Sequence, residues 1–192
     1  MRILGAAVLA ALQTYNILIV SHLWTHNPWF HSRLLNACSS GLNSINIGES
    51  AEAYRLSHVR NHHRFNNDRQ GPDGKTRDSS STFKRGRNGE HEGIASYALL
   101  GGLRSLGSSI RVVLSVHRLW RVGPGESELL ELASEGSLRS IRTDRIVCFA
   151  WCLLLVSVSW QFVLFCVLPV WYAALVLVDV QNYYEHYGAV PE

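Results

Sequence analysis

From Ile146 to Val178 the chain runs for 33 residues without a charged side chain, and this constrains its fold more than any other feature. One straight helix of that length would reach about 50 Å, against a bilayer hydrocarbon core of about 30 Å. Two tightly joined membrane helices are the economical solution. The turn is expected near Ser157, Ser159, Trp160 and Gln161, where polar groups and a tryptophan suit a membrane interface. Ile3 to Val20 is a second apolar stretch of 18 residues, long enough to span by itself. Gln13, Thr14 and Asn16 interrupt it and no small-residue cleavage site closes it, so it reads as a retained helix over 3–21 and not as a secretory signal.

The 192-residue composition, 47% hydrophobic and 17% charged, argues against one soluble enzyme domain once the apolar residues are seen to be bunched. The charges are bunched too. Sixteen of the 18 Lys and Arg, with 11 of the 15 acidic residues, lie between Glu52 and Arg145, which places that section on the cytoplasmic side by the positive-inside rule. Basic residues so mixed with acid, and without RNA-binding aromatic motifs, are a solvated face and not a phosphate track, so no nucleic-acid partner is expected. Cys148, Cys152 and Cys166 sit within the apolar run and behave as small hydrophobes. Cys38 follows Leu35-Asn36-Ala37, close to a lipoprotein cleavage pattern, but His31, Ser32 and Arg33 before it form no signal core.

The first helix is expected to end at Ser21 and His22. From there to Gly48 the pattern is mixed, broken at Asn27-Pro28, and reads as a helix near the interface or dipping partway in. Residues 64–93 are polar and rich in Asn, Asp, Gly and Ser, a surface loop with at most short helices. Ile94 to Trp120 follows as an amphipathic helix, with Arg104, Ser108, Arg111, Ser115 and Arg118 on one stripe. Such a helix suits an anionic membrane surface or the packed face of a cytoplasmic domain. Gly123-Pro124-Gly125 ends it, and Glu126 to Arg142 is expected to add a short cytoplasmic helix. Both ends of the hairpin, Arg145 and Asp179, then return to the cytoplasmic side.

Six of the nine histidines fall in three groups. His22 and His26, four apart, can project from one helix face at the membrane boundary. His58, His62 and His63 span roughly 140° of an α-helix, so three rings can converge beside it. His186 shares a stripe with Asp179 and Asn182 just past the hairpin's second arm. Imidazoles suit iron, zinc and copper, and ionisable clusters at a membrane boundary are functional by default. His31, His91 and His117 lack such company and read as structural or solvated.

H-x3-H at His22–His26, H-x3-HH at His58–His63 and Asn182-Tyr183-Tyr184-Glu185-His186-Tyr187-Gly188 together resemble the histidine boxes of the integral-membrane fatty acid desaturase superfamily. The last segment is most similar to the N-Y-x-E-H-Y-G signature of the alkane hydroxylases of that superfamily. The 36 residues from His22 to His58 and the hairpin before the third group fit the same pattern. The resemblance covers nearly the whole chain. It implies an all-α integral membrane fold, multi-pass, with histidine-box helices at the cytoplasmic ends of transmembrane helices and one helical hairpin near the C-terminus. It divides a single partial domain over 1–192 into a transmembrane helix (3–21), the first and second boxes (22–63), a cytoplasmic loop with amphipathic helices (64–145), a transmembrane hairpin (146–181) and the NYYEHYG segment (182–192).

The same resemblance implies two non-haem irons that use O2 and two electrons to take hydrogen from an unactivated C–H bond of a lipid chain. His22, His26, His58, His62, His63 and His186 would be metal ligands. Asn182 would hold a metal-bound water or a neighbouring ligand, and Asp179, Tyr54, Glu49 and Glu185 are candidates to support the imidazoles, which need an acceptor on their other nitrogen. Leu23 stands where alkane hydroxylases carry Glu, and the superfamily's further H/Q-x2-3-HH box and first helix pair are not found in the 192 residues. Six ligands fall short of the eight or nine implied, so the chain reads as a fragment that is inactive alone.

Desaturation of a fatty acyl chain is the leading expectation, with hydroxylation of an alkane, fatty acid or carotenoid end group as the alternative. A non-catalytic membrane module is a second alternative, and a transporter with histidine proton relays would place those rings at mid-span. Electrons would come from a ferredoxin, rubredoxin or cytochrome b5, docked on the Arg-rich surface from Arg55 to Arg121.

Overall fold

The computed structural model describes residues 2–114 and 133–187, and the regular structure among them is helical. The end of the amphipathic stripe (Ser115, Arg118), His117, the Gly123-Pro124-Gly125 stop, the helix expected from Glu126 as far as Leu132, and Gly188 lie outside the described residues.

Helix α1 (2–26) combines Arg2–Tyr15, a π-helical segment Asn16–Ser21 and His22–His26. It thus passes the expected end at Ser21 and His22. Thr25 Oγ1 donates to the His22 carbonyl at 2.6 Å, and Trp24 and Thr25 are buried, so the last turn is held from inside. Asn27 then turns extended (φ −144°, ψ 101°), as a residue before proline prefers. Helix α2 (Arg33–Ile47) starts at Ser32, whose side chain accepts from Leu35 N, and stops at Gly48 in the left-handed region (φ 84°). Its small polar residues Ser39, Ser40, Asn43 and Ser44 face inward while Leu34, Leu35 and Leu42 are exposed. Apolar residues outside and small ones at the contacts are the pattern of a helix packed in lipid.

Helix α3 (51–65) is capped by Ser50, whose Oγ accepts from Ala53 N at 3.1 Å, and its middle, Leu56–His62, is π-helical. Helix α4 (94–114) likewise contains a π segment, Ser96–Leu100, before Gly101–Leu114.

Residues 135–186, which contain the apolar run, are helical and broken only at Ser159 (φ −164°, ψ 103°). That residue separates α5 (135–158) from α6 (160–186), and its Oγ accepts from Phe162 N at 3.2 Å as the cap of the second arm. The two arms return to one place. Cys148 Sγ lies 4.0 Å from the Glu49 carbonyl and the Trp171 ring lies against Gly48, so residues about equally far from Ser159 meet the same short segment. The turn expected near Ser157 to Gln161 therefore falls at Ser159.

Helix α6 packs along α1 and α4, and α5 packs on α2 and α3. Two small cores fix α3, which carries the second histidine group: Trp24, Ile47 and Ala51 on one side, Ala53, Leu56 and Ile141 on the other. A buried carboxylate joins them. Asp144 of α5 accepts from Ser40 Oγ (2.9 Å), Ser50 Oγ (2.9 Å) and Glu52 N (3.2 Å). Beyond these contacts the helices are apolar outside, with Leu4, Val8 and Leu12 of α1 and Leu153, Val158 and Phe165 of the hairpin all exposed. Two helical stretches, Leu4–His26 and Glu135–His186, are long and apolar enough to cross a membrane, and little of either is buried inside the protein. Water is a poor solvent for such a surface and hydrocarbon a good one.

Candidate metal centre

The six grouped histidines meet at one place. Rings from α1 (His22, His26), α3 (His58, His62, His63) and α6 (His186) form a continuous chain of neighbours with centroid separations such as 4.9 Å (His22–His26), 4.4 Å (His22–His58), 4.6 Å (His58–His63) and 4.8 Å (His62–His186). Three pairs face each other through Nε2: His22–His26 at 3.2 Å, His58–His63 at 3.1 Å and His62–His186 at 3.1 Å. Two nitrogens bound to one ion at about 2.1 Å lie about 3.0 to 3.4 Å apart at octahedral or tetrahedral angles. His22, His26 and His58 also offer one ligand atom each within 4.8 Å of one another. The donor set fits a metal cluster of borderline ions.

The π segment corrects one expectation. In an α-helix His58 and His63 would diverge by about 140°, but the i→i+5 bonding of Leu56–His62 brings residues five apart onto one side. Their Nε2 atoms consequently face each other.

Burial, and then the neighbouring rings of His22, His63, His62 and His26, push His58 down to about 3. Burial, followed by His26 and His62, also lowers His63. Both are neutral near pH 7, the form that offers a lone pair. Tyr54 stacks on His58 (5.5 Å, 17°) and its hydroxyl lies 3.5 Å from His22 Nδ1. Burial holds this phenol above its usual range, so it keeps its proton.

The other supporting candidates are placed unequally. Glu49 borders the histidine cavity. Glu185 borders it too, and accepts from Gln181 at 2.8 Å. Asp179 presses against Gly101, and its buried Oδ2 has no hydrogen-bond partner. Asn182 donates to Tyr97 Oη at 2.5 Å, and Tyr97 donates on to the Ser80 carbonyl at 2.7 Å. Within the third motif, Tyr183 is buried and stacks on Tyr187, which in turn neighbours His91.

Sequence reasoning missed Asp78. This fully buried carboxylate of the 64–93 loop lies 2.8 Å from His62 Nδ1. Burial alone would raise its pKa, but its hydrogen bond and electrostatic interaction with His62, followed by the backbone N–H groups of Ser80 and Asn67, outweigh that and set it at about 2. Sixteen residues of turn-rich chain separate Asp78 from His62, so no helical spacing could have paired them. The loop itself is closely bonded: Asn67 Oδ1 accepts from Thr82 N at 2.7 Å and Asp68 accepts from Asp78 N at 2.8 Å. His91, which read as structural or solvated, stacks on Phe83 at 3.9 Å and lies 2.7 Å from Thr82 Oγ1, a peg within the loop.

The cluster borders a cavity of about 670 Å3 whose wall mixes the histidines with Leu18, Ile19, Leu23 and Val178. A second cavity of about 660 Å3, lined mostly by apolar residues of α1, α4 and both hairpin arms, adjoins it where Gly48 borders one and Glu49 the other.

The sequence model of the fatty acid desaturase family matches residues 1–192. No curated protein and no solved structure matches the chain.

Proposed function

The chain belongs to the fatty acid desaturase family, and from that premise we propose that it is a membrane diiron oxidase acting on fatty acyl chains, with desaturation as the outcome. One observation carries the reading: six imidazoles from three separate helices converge, with three Nε2 pairs at 3.1 to 3.2 Å. The family supplies the coarser frame of an iron-dependent oxidoreductase of lipids in a membrane.

In this reading His22, His26, His58, His62, His63 and His186 are the ligands the chain contributes to two non-haem irons. When bound, the irons, O2 and two electrons supply the oxidant that takes hydrogen from an unactivated C–H bond. The protein's own groups bind and orient. Leu18, Ile19, Leu23 and Val178 give an acyl chain an apolar wall beside the rings, and the adjoining cavity extends that surface towards the hairpin. Tyr54 orients His22 and His58 by hydrogen bonding and stacking. Asn182, held by Tyr97, keeps an amide beside His186 where it can order a water. Asp179, Glu49 and Glu185 hold water and polar groups around the cluster.

The domain division from 3–21 to 182–192 follows the same reading. From Ser159 to His186 the second arm is about 40 Å long, so a tip at one face of the bilayer puts the histidines at the other. We place that other face in the cytoplasm on the Lys and Arg bias of residues 52–145. A ferredoxin, rubredoxin or cytochrome b5 reaching this basic surface would deliver the electrons.

The test is iron content and product together. The chain, purified from membranes after loading with Fe(II), should hold iron, and His58→Ala and His62→Ala should each lose most of it. Lipids from cells making the active protein should carry acyl chains that have lost two hydrogens. Chains that have instead gained one oxygen would reassign it to hydroxylation, and iron content equal in wild type and both variants would leave a non-catalytic membrane protein.

A further inference from the structure

We propose that Asp78 is the positioning residue of the histidine cluster: it fixes the tautomer and ring orientation of His62, so that Nε2 presents a lone pair towards His186. The inference rests on the reading of these histidines as metal ligands, and it concerns a residue outside the three histidine groups.

The hydrogen-bond count around Asp78 closes. Oδ2 accepts from His62 Nδ1 (2.8 Å) and Asn67 N (2.8 Å), while Oδ1 accepts from Ser80 N (2.8 Å) and Ser80 Oγ (2.9 Å). A carboxylate has about four acceptor sites and no donor when ionised. All four are used here, two of them by backbone N–H groups that can only donate. The atom facing His62 is therefore an acceptor, and the proton between them belongs to Nδ1. Ser80 Oγ, 3.0 Å from the same Nδ1, spends its own proton on Oδ1 and closes the triangle as a further acceptor.

A neutral imidazole has one N–H. With it committed at Nδ1, Nε2 of His62 holds a lone pair, and this atom lies 3.1 Å from Nε2 of His186. Two lone pairs at that distance repel unless a proton or a cation lies between them. The cation is the arrangement a ligand pair is built for, and a carboxylate on the distal nitrogen also raises ligand basicity.

Position follows from the same loop. Asn67, whose backbone N–H reaches Asp78, sends its side-chain amide to the His186 carbonyl at 3.5 Å. Tyr97 binds the Ser80 carbonyl and Asn182. One polar segment thus grips both the second and the third histidine groups, and Asp78, with Ser80 beside it, is the part that meets the His62 ring.

Asp78→Asn isolates the claim, because it keeps the shape and exchanges one acceptor oxygen for an NH2 donor. Histidine 15N resonances of the metal-free chain in lipid nanodiscs, with His62 assigned by its loss in His62→Gln, read the tautomer directly. The wild type should show His62 protonated at Nδ1 and bare at Nε2. The variant should show Nε2 protonated in a substantial fraction, with Co(II) affinity, read by visible absorption, lower by about 10- to 100-fold.

Asp68→Asn is the comparison. Asp68 holds the same loop through the N–H groups of Arg77 and Asp78 but touches no histidine in the cluster, so it should lower thermal stability and leave the His62 tautomer unchanged. A wild type protonated at Nε2 overturns the proposal even if no variant folds. So does an Asp78→Asn chain with wild-type tautomer and Co(II) affinity, or equal loss of the tautomer in Asp68→Asn. A wild type that binds no Co(II) refutes the metal reading instead, while the nitrogen spectra still decide the role of Asp78.

Discussion

Asp144 and Asp78 are both carboxylates buried below 3% exposure, and each is tolerated for the same reason: donors from other parts of the chain surround it. Asp144 holds α2 and the start of α3 to α5 through Ser40, Ser50 and Glu52 N. Asp144→Ala should leave those donors unpaired and lower stability by about 3 kcal/mol, read as a fall in the thermal unfolding midpoint in detergent micelles. An unchanged midpoint would mean that water already serves those donors. Neither carboxylate was legible in the sequence. Asp144 looks like one charge flanking an apolar run, and Asp78 like one of many polar residues in a loop. The spacing within the first two histidine groups was legible because His22–His26 and His58–His63 lie four and five residues apart on one helix, whereas His186, 124 residues from His62, and an aspartate reached through a turn network leave no period that joins them. Asp179 shows the converse. It shares the stripe of Asn182 and His186, yet its carboxylate turns to Gly101 and not to a ring.

At the scale of elements, the hydrophobic pattern located α1, the hairpin and the turn at Ser159, because apolar length and polar interruptions are written directly in composition. It did not reveal the π segment of α3, since a change from i→i+4 to i→i+5 bonding carries no residue signature. It also undervalued α2. That helix turns serines and asparagine inward, and a search for an apolar inner face reads such a pattern as weak. Where α2 ends, its contact with the second arm of the hairpin runs through Gly48, which combines a left-handed φ of 84° with a Trp171 ring filling the space of a Cβ. Gly48→Ala should therefore cost about 3 kcal/mol. In a Trp171→Ala background the same change should cost only about 1 kcal/mol, the residue of the backbone strain. Thermal unfolding of the four chains measures the coupling, and equal costs in both backgrounds would remove the ring from the explanation.

For the whole molecule, the sidedness of the bilayer is the quantity to measure. In a cysteine-free background, Asp73→Cys should react with a membrane-impermeant thiol reagent only from the cytoplasmic face, and Ser157→Cys should be closed to it from that face. The opposite pattern would invert the proposed orientation. The tip itself has a bearing on biosynthesis. Ser157 Oγ donates to the Leu154 carbonyl at 2.8 Å, and Ser159 Oγ serves both Gln161 Oε1 and Phe162 N. The bend thus carries its own hydrogen-bond partners, and no ion has to be dragged through hydrocarbon with it. Such a hairpin can enter the bilayer as one unit, and His186 rejoins His62 only after the second arm has come back. Of the six grouped histidines His186 is the last to be made, so its docking on His62 reports that the hairpin has inserted.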